Sequence, residues 1–384
     1  MQGGPHVAES IFWLCLLLPF YAWLGYPLLL TLVGPLFARH RPGPLPRQQV
    51  SVVVAAHNEE RHIEDKLRNL LAQNCPAADL QIIVASDGSS DRTVALARSF
   101  DDPRIHVLDL PRQGKNSVLN AAVEHCSGDI LVFTDADVHW LDGTLSALLA
   151  PFADPAVGAS VGNMVIPVAG KGLSLGESLY RHYEAWLRRV ENRTGCTVSA
   201  DGALQAVRRE YYQPIPPRVN DDFYINTCAP VAGKRVVYVD QAKVLDIGVD
   251  EAHRQFSRRQ RVTVGGLISL AARRELLNPL RHGLYAIALI SHKLIRRLAP
   301  VLLLPLLLAN FFLLDEHVFY RLTLVAQLLC YAIAVAGLLD VRHRLPKPFR
   351  LAAFVLVTLA GMSVGLWQFL RGHSYNQWNP DQTR

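Results

Sequence analysis

The segment DILVFTDADV, residues 129–138, closes an apolar run, Ile130–Phe133, with two carboxylates separated by one alanine. A strand core gains nothing from such charges, so Asp135 and Asp137 need a use at the strand's end. In extended geometry residues i and i+2 leave the same face. Two hard oxygen ligands on one face suit Mg²⁺ or Mn²⁺, with the remaining positions left for water or phosphate oxygens. Read alone, the same D-A-D is also a capped turn before a helix at 140–150. Two further apolar runs end in polar residues: VSVVVAA (50–56) leads into His57-Asn58-Glu59, and LQIIVAS (80–86) into Asp87-Gly88-Ser89. Asp87 either belongs to the turn and N-cap chemistry of SDGSSDRT, where Asp91 opens a helix, or accepts from a nucleobase imide or ribose hydroxyl. Lys115, in RQGKNSVLN, is either a solvated charge or a diphosphate contact.

The elements that must position these residues alternate from residue 50 onward. Helical spacing of Ile63, Leu67, Leu70 and Leu71 follows the first run, DRTVALARSF the second, and KNSVLNAAVEHC a short strand at 104–110. Continuous apolar strands separated by helices predict an α/β domain with a mainly parallel central sheet covered on both faces. In such sheets ligands bind at the carboxyl ends of the strands, so the three polar strand ends converge on one edge.

The chain has 384 residues, half of them hydrophobic, and the apolar residues pool at its two ends. Residues 11–37 carry no charge and are long enough to cross a hydrocarbon layer of ~30 Å. Segments 298–314, 318–340 and 351–370 are three further candidates. Arg39, Arg41 and Arg47 follow the first span, and Arg342, Arg344, Lys347 and Arg350 lie between the last two candidates. Positive flanks stay inside, which predicts a cytoplasmic middle and an outward N-terminus. Three full C-terminal spans place the basic tail outside, whereas Gly361 and Gly365 leave a re-entrant or surface-lying last element open. The expected division is a span at 1–38, a linker at 39–49, a catalytic domain at 50–265, interfacial amphipathic helices at 266–297 (or equally a snorkelling flank to the next span), membrane helices at 298–370 and a basic tail at 371–384. The net charge of +6 resides in cytoplasmic flanks suited to an anionic leaflet, and no basic stripe interleaved with aromatics points to nucleic acid. The six cysteines show no paired metal-ligand spacing and read as reduced packing residues.

Together and in order, VVVAAHNEE, ASDGSSDRT, GKNSVLNAA, FTDADV, ADGALQAVRRE and VNDDFYI resemble the family 2 glycosyltransferases and their GT-A nucleotide-diphospho-sugar transferase fold. The flanking membrane segments resemble those of bacterial polysaccharide synthases, the branch with the cellulose, hyaluronan and poly-N-acetylglucosamine synthases. The resemblance implies that Ala56, Asn58 and Glu59 lie near the uridine and that Asp87 meets the uracil or ribose. It implies that Asp135 and Asp137 form the metal-diphosphate motif and that Asp222 is the catalytic base, with Asp221 its neighbour. The segment holding Asp201, Gly202 and Arg208 would line the acceptor site. Repulsion between Asp221 and Asp222 raises one pKa, which suits a base.

Processive members carry Gln-x-x-Arg-Trp after the base. In SRRQRVTVGG (257–266) Arg258 stands for the Gln, Arg261 matches the Arg as a diphosphate contact, and Val262 replaces the Trp. Trp378 substitutes only if the tail is cytoplasmic. The expected activity is inverting, metal-dependent transfer from a nucleotide sugar, UDP-linked, to a growing extracellular polysaccharide at the bacterial inner membrane. The alternative is addition of a single sugar to a lipid-linked acceptor. An export synthase would work with a periplasmic or outer-membrane partner. A glycoside hydrolase needs two carboxylates flanking a glycosidic bond and no nucleotide pocket, and a decayed scaffold would have lost some of Asp87, Asp135, Asp137 and Asp222.

Overall fold

The computed structural model describes residues 4–37, 47–165, 174–245, 252–340 and 344–375. Helices α1 (Gly4–Phe20) and α2 (Tyr26–Val33) are joined by one π turn into a single apolar rod, His6–Leu36. The expected linker lies outside the described residues except at its end, where Gln48 and Gln49 already belong to the first strand. An alternating series follows: β1 (Gln48–Ala56), α3 (Ile63–Leu71), β2 (Ala78–Asp87), α4 (Thr93–Arg98), β3 (Ile105–Leu110), α5 (Lys115–Glu124) and β4 (Ile130–Asp135). The second half comprises β5 (His139–Trp140), α6 (Thr144–Leu149), β6 (Val157–Val165), α7 (Ser174–Arg193), β7 (Leu204–Arg208), α8 (Asp221–Val231) and β8 (Arg235–Leu245).

Among the described residues eight strands join one sheet in the order β3-β2-β1-β4-β7-β6-β8-β5. Strands β1 to β4 are parallel, as their apolar runs predict. The expected mainly parallel sheet is found: β6 also pairs parallel with β8, so four of the seven strand pairings are parallel. β7 pairs antiparallel with both β4 and β6, and β5 antiparallel with β8, so the sheet is mixed. Alternate residues feed two cores. Val52, Val54, Ile82 and Val132 pack under α3 and α6, while Val53, Ile83, Leu131 and Phe133 pack under α5 and α8. Burying each such side chain contributes about 1.5–3 kcal/mol, and this fixes the register that levels the strand ends.

The remaining helices are α9 (Ala252–Ala272), α10 (Pro279–Leu289), α11 (Arg296–Phe312), α12 (Val318–Leu339) and α13 (Lys347–Leu370). α9 runs unbroken across the expected domain boundary at 265–266. α10 and α11 join through a π turn into one rod, Pro279–Phe312, so residues 266–297 are not a separate interfacial unit. Leu276 and Leu289 pack on α7 residues Leu187 and Val190, α11 then runs away from the catalytic domain beside α1, and α12 returns antiparallel to it.

Among the described residues four helices are long and apolar enough to cross a membrane, yet α13 behaves differently from the others. It starts where Gly337 of α12 lets the Phe349 backbone approach, and Gly176 of α7 accommodates its Phe354. Gly361 and Gly365 then lie on the α9 backbone, where an added Cβ would stand 2.8 Å from the Phe256 oxygen and 2.9 Å from the Gln260 oxygen. Tyr375, beyond its end, is within electrostatic range of Arg261 on α9. Both ends of α13 therefore lie beside elements of the catalytic half. Set in a bilayer, this arrangement predicts three crossings and a tail on the catalytic domain's side. An impermeant maleimide should label Tyr375→Cys in inverted vesicles and leave it unlabelled in right-side-out cells. The opposite pattern would make α13 a fourth crossing.

Candidate active site

The register Ala56↔Ser86 and Ala55↔Asp135 sets the ends of β1, β2 and β4 at one level. The expected helix after β1 begins only at Ile63. Residues 57–62 form a turn instead, entered through Asn58 at φ 55°. Asn58 Oδ1 accepts from Ser90 N (2.8 Å), and its own N donates to Ser89 Oγ (3.1 Å). Glu59 is buried, with Oε2 2.9 Å from His62 Nδ1, and its N donates to Thr93 Oγ1. Both residues thus tie the β1 and β2 ends together, and Ala56 is buried in the strand.

Asp87 is buried as well. Its carboxylate accepts from the backbone N–H of Gln113 (2.7 Å) and Gly114 (3.0 Å), pinning the loop that carries Lys115. Gly88, at φ 62°, is needed here because a Cβ would stand 2.8 Å from Arg112 N. His57, next to Asp87, places Nδ1 2.7 Å from the Asp87 carbonyl and Nε2 against the Arg112 guanidinium. Asp91 accepts from Thr93 N, in keeping with helix-opening chemistry.

From this pinned loop, Lys115 Nζ reaches Asp135 Oδ1 (2.8 Å) and Asp221 Oδ2 (3.0 Å). It is neither solvated nor free. Burial alone would lower its pKa, but the two carboxylates more than reverse that and hold it protonated. Burial raises the Asp135 pKa, Lys115 opposes the rise, and Asp137 adds to it. Asp135 is the last residue of β4, and residues 136–137 turn, so the strictly extended D-A-D geometry is not kept; Asp137 instead faces solvent from the turn. That turn is braced from beneath by Lys66, whose Nζ donates to Thr134 Oγ1 (2.8 Å) and the Val138 carbonyl (3.0 Å). Burial lowers the Lys66 pKa to about 7, against the pull of Asp135 and Asp137. Sequence reasoning missed Lys66, although it falls on the Ile63–Leu67–Leu70 face of α3, the signal of a buried lysine.

Asp221 and Asp222 open α8. Burial, then the neighbouring Asp221, pushes Asp222 up to about 6, while Phe223 N, Lys293 and Lys115 act in the opposite direction. Gly202 lies alongside, where an added Cβ would be 3.4 Å from Asp222 Cβ. Asp201 is held by Arg181 (2.9 Å) and Arg188 of α7, so it shapes the wall next to Gly202 and is not a loose acceptor contact. Arg208 is placed elsewhere. Because β7 runs antiparallel to β4, Leu204 pairs with Thr134 at the site, but Arg208 pairs with Ile130 at the opposite end of the sheet. There it donates to the carbonyls of Val157 (2.9 Å) and Phe152 (2.7 Å). Arg258 pairs with Glu177 of α7 (2.9 Å) rather than standing over the carboxylates. Arg261 does face the site, within electrostatic range of Asp221, and burial lowers its pKa. Trp378 lies outside the described residues.

Asp135 and Asp137 fit a divalent cation by their hard oxygens and shared turn. Among the described residues no three His, Cys, Asp or Glu side chains converge into a closed cage. Such a cation would take further oxygens from a bound substrate, as Mg²⁺ does at phosphate sites.

Residues 51–213 match the family described as Glycosyl transferase family 2. The chain is 28% identical over 218 residues to an N-acetylglucosaminyltransferase of Rhizobium leguminosarum bv. viciae, covering 51% of this chain and 50% of that protein. It is 29% identical over 192 residues to a beta-monoglucosyldiacylglycerol synthase of Trichormus variabilis, covering 46% of this chain and 40% of that protein. The chain thus spans half or less of the length of these two curated relatives. In three dimensions it is similar to the mannosyltransferase PcManGT from Pyrobaculum calidifontis, solved with GDP-Man and Mn²⁺. The TM-score is 0.69 at 23% identity, over 96% of this chain and 99% of that one. The fold is GT-A, and the family match lies in its nucleotide-binding half, residues 51–213.

Arg208→Ala should lower stability by about 2 kcal/mol through the lost carbonyl contacts, while leaving donor affinity unchanged. A thermal melt and a nucleotide titration on the same preparation check this, and a selective loss of substrate affinity would return Arg208 to the site.

Proposed function

We propose that this family 2 domain catalyses inverting, divalent-metal-dependent transfer of a sugar from a nucleotide-diphosphate donor, UDP-linked, to an acceptor carried by the membrane at the inner face of a bacterial inner membrane. The observation that carries the reading is Lys115, which joins Asp135 at the β4 end to Asp221 at the start of α8. It brings the diphosphate motif and the candidate base into one site. The acceptor hydroxyl oxygen bonds to the anomeric carbon while that carbon's bond to the diphosphate oxygen breaks, and the bonding pair leaves with the nucleoside diphosphate. Asp222 takes the hydroxyl proton. Lys115 and Arg261 supply positive charge where the leaving group develops its negative charge. A divalent cation bound by Asp135 and Asp137 would neutralise the departing diphosphate.

Of the two acceptors open to the sequence, the lipid-linked one has the better support. The described cavity between the first span and α11 is lined by Val7, Ile11, Leu304, Leu308 and Phe312 and is apolar, which suits hydrocarbon rather than a moving glycan. The place of the processivity tryptophan is taken by Val262. A growing polysaccharide remains the second reading, favoured by the apolar helices that follow the catalytic domain.

Nucleotide release from UDP- and GDP-sugars with Mn²⁺ tests the activity. Asp222→Asn should cost on the order of 10²–10⁴ in rate with donor binding retained, and undiminished turnover would remove Asp222 as the base. The pH dependence has a defined sign. A base must be deprotonated to act, so kcat/KM should rise as pH passes through about 6 and then level off. The residual rate of Asp222→Asn should lack that limb.

A further inference from the structure

Two basic side chains of the membrane rod lie within electrostatic range of Asp222. Lys293, in the π turn Ile290–Ile295, donates to Ser199 Oγ (2.8 Å). Ser199 belongs to the same short segment as Gly202, which lies against Asp222. Arg297, in the first turn of α11, occupies the space over Gly266 of α9, and the adjacent Gly265 makes room for Asn220, the residue before Asp221 and Asp222. Both cations act on Asp222 through space.

Their neighbours are already paired: His292 bridges Glu184 and Glu191, and Arg296 pairs with Glu184. Among the described residues, no carboxylate lies within ion-pair distance of Lys293 or Arg297. The Arg297 guanidinium donates to the Lys293 carbonyl (3.1 Å). Both are half-buried. Two partly desolvated cations with no carboxylate in direct contact suit an anion with several acceptor oxygens.

The same helix indicates what kind of molecule carries that anion. Arg297, Val301, Leu304 and Leu308 share one face by helical spacing. The last three are exposed at 46%, 62% and 51%, and Leu304 and Leu308 line the apolar groove against the first span. A cationic seat beside the reacting groups thus continues into an apolar strip leading away from the catalytic domain. A water-soluble phosphate would have no use for the strip, whereas a lipid phosphate uses both parts.

We infer that Lys293 and Arg297 seat the phosphate of a phosphate-linked lipid acceptor, whose hydrocarbon chain follows the Val301–Leu304–Leu308 face of α11. The inference rests on the glycosyl-transfer reading and names its acceptor class. The phosphate linkage stays intact while the acceptor hydroxyl is presented to Asp222.

The full chain in phosphatidylcholine nanodiscs, doped with a polyprenyl phosphate or with the same polyprenol lacking the phosphate, tests it by native mass spectrometry of retained lipid. The phosphate lipid should be retained and the polyprenol not. Lys293→Gln with Arg297→Gln should reduce retention at least about tenfold while nucleotide binding persists, and Arg297→Lys should keep most of it. Equal retention of both lipids, or full retention by the double variant, would overturn the inference; so would complete displacement by millimolar inorganic phosphate, which would mark a seat for free phosphate. If the double variant does not fold, the two-lipid comparison on the unaltered chain still decides. Loss of nucleotide binding with lipid retention intact would instead refute the proposed function and leave the lipid seat standing.

Discussion

Negative charge gathered at one sheet edge is the constraint on which the rest of the site depends. Asp135, Asp137, Asp221 and Asp222 come from two chain segments some eighty residues apart in sequence, and like charges brought together in a partly buried site repel strongly. Lys115 makes the arrangement stable by meeting one carboxylate from each segment. Its own position is fixed by Asp87, which spends its carboxylate on the backbone of the loop before α5. Asp87 therefore governs the active site at one remove. Its fully buried, backbone-bonded state explains why an acidic residue can end β2 without adding to the repulsion at the edge.

A second constraint couples this edge to the membrane helices. Glu177, Arg181, Glu184, Arg188 and Glu191 of α7 fall at successive i+4 and i+3 positions on one helix face. Between them they reach α9, the segment beside the candidate base, and two of the apolar rods. Glu177 holds Arg258 of α9, Arg181 and Arg188 hold Asp201 beside the candidate base, Glu184 holds Arg296 and His292, and Glu191 accepts from Tyr26 OH in the first span. Buried charges are costly unless paired and hydrogen-bonded, so this seam stabilises only one relative placement of spans, α7 and α9. That specificity keeps Lys293 and Arg297 directed at Asp222, because their neighbours in the same turns are locked to α7.

The parallel half of the fold was legible because fully buried parallel strands read as unbroken apolar runs, and their polar ends marked the site edge before any geometry was known. The second half, where antiparallel pairings enter, was not. VGASVGNMV and LQAVR contain small and polar residues that a two-sided core tolerates at close approach; Gly162, for example, lies against Leu204 and the Ala242 carbonyl. The site was readable as a set of carboxylates but not as a charge balance. A motif names Asp87 and Asp135, but only the fold shows that the first is committed to a loop and the second to a lysine. Arg208 illustrates the limit in the other direction. It stands close in sequence to candidate site residues, and the strand's direction carries it to the far end of the sheet.

The membrane half shows the same division between composition and placement. Length and hydropathy make α13 indistinguishable from a crossing helix. Its glycines set it apart, since Gly361 and Gly365 allow backbone contact with α9 at distances no side chain permits. A helix held that closely to α9 is the physical ground for expecting three crossings rather than four. On that expectation the basic residues that flank α13 stay on the side of the other positive flanks, and the end of the described chain stays within electrostatic range of Arg261.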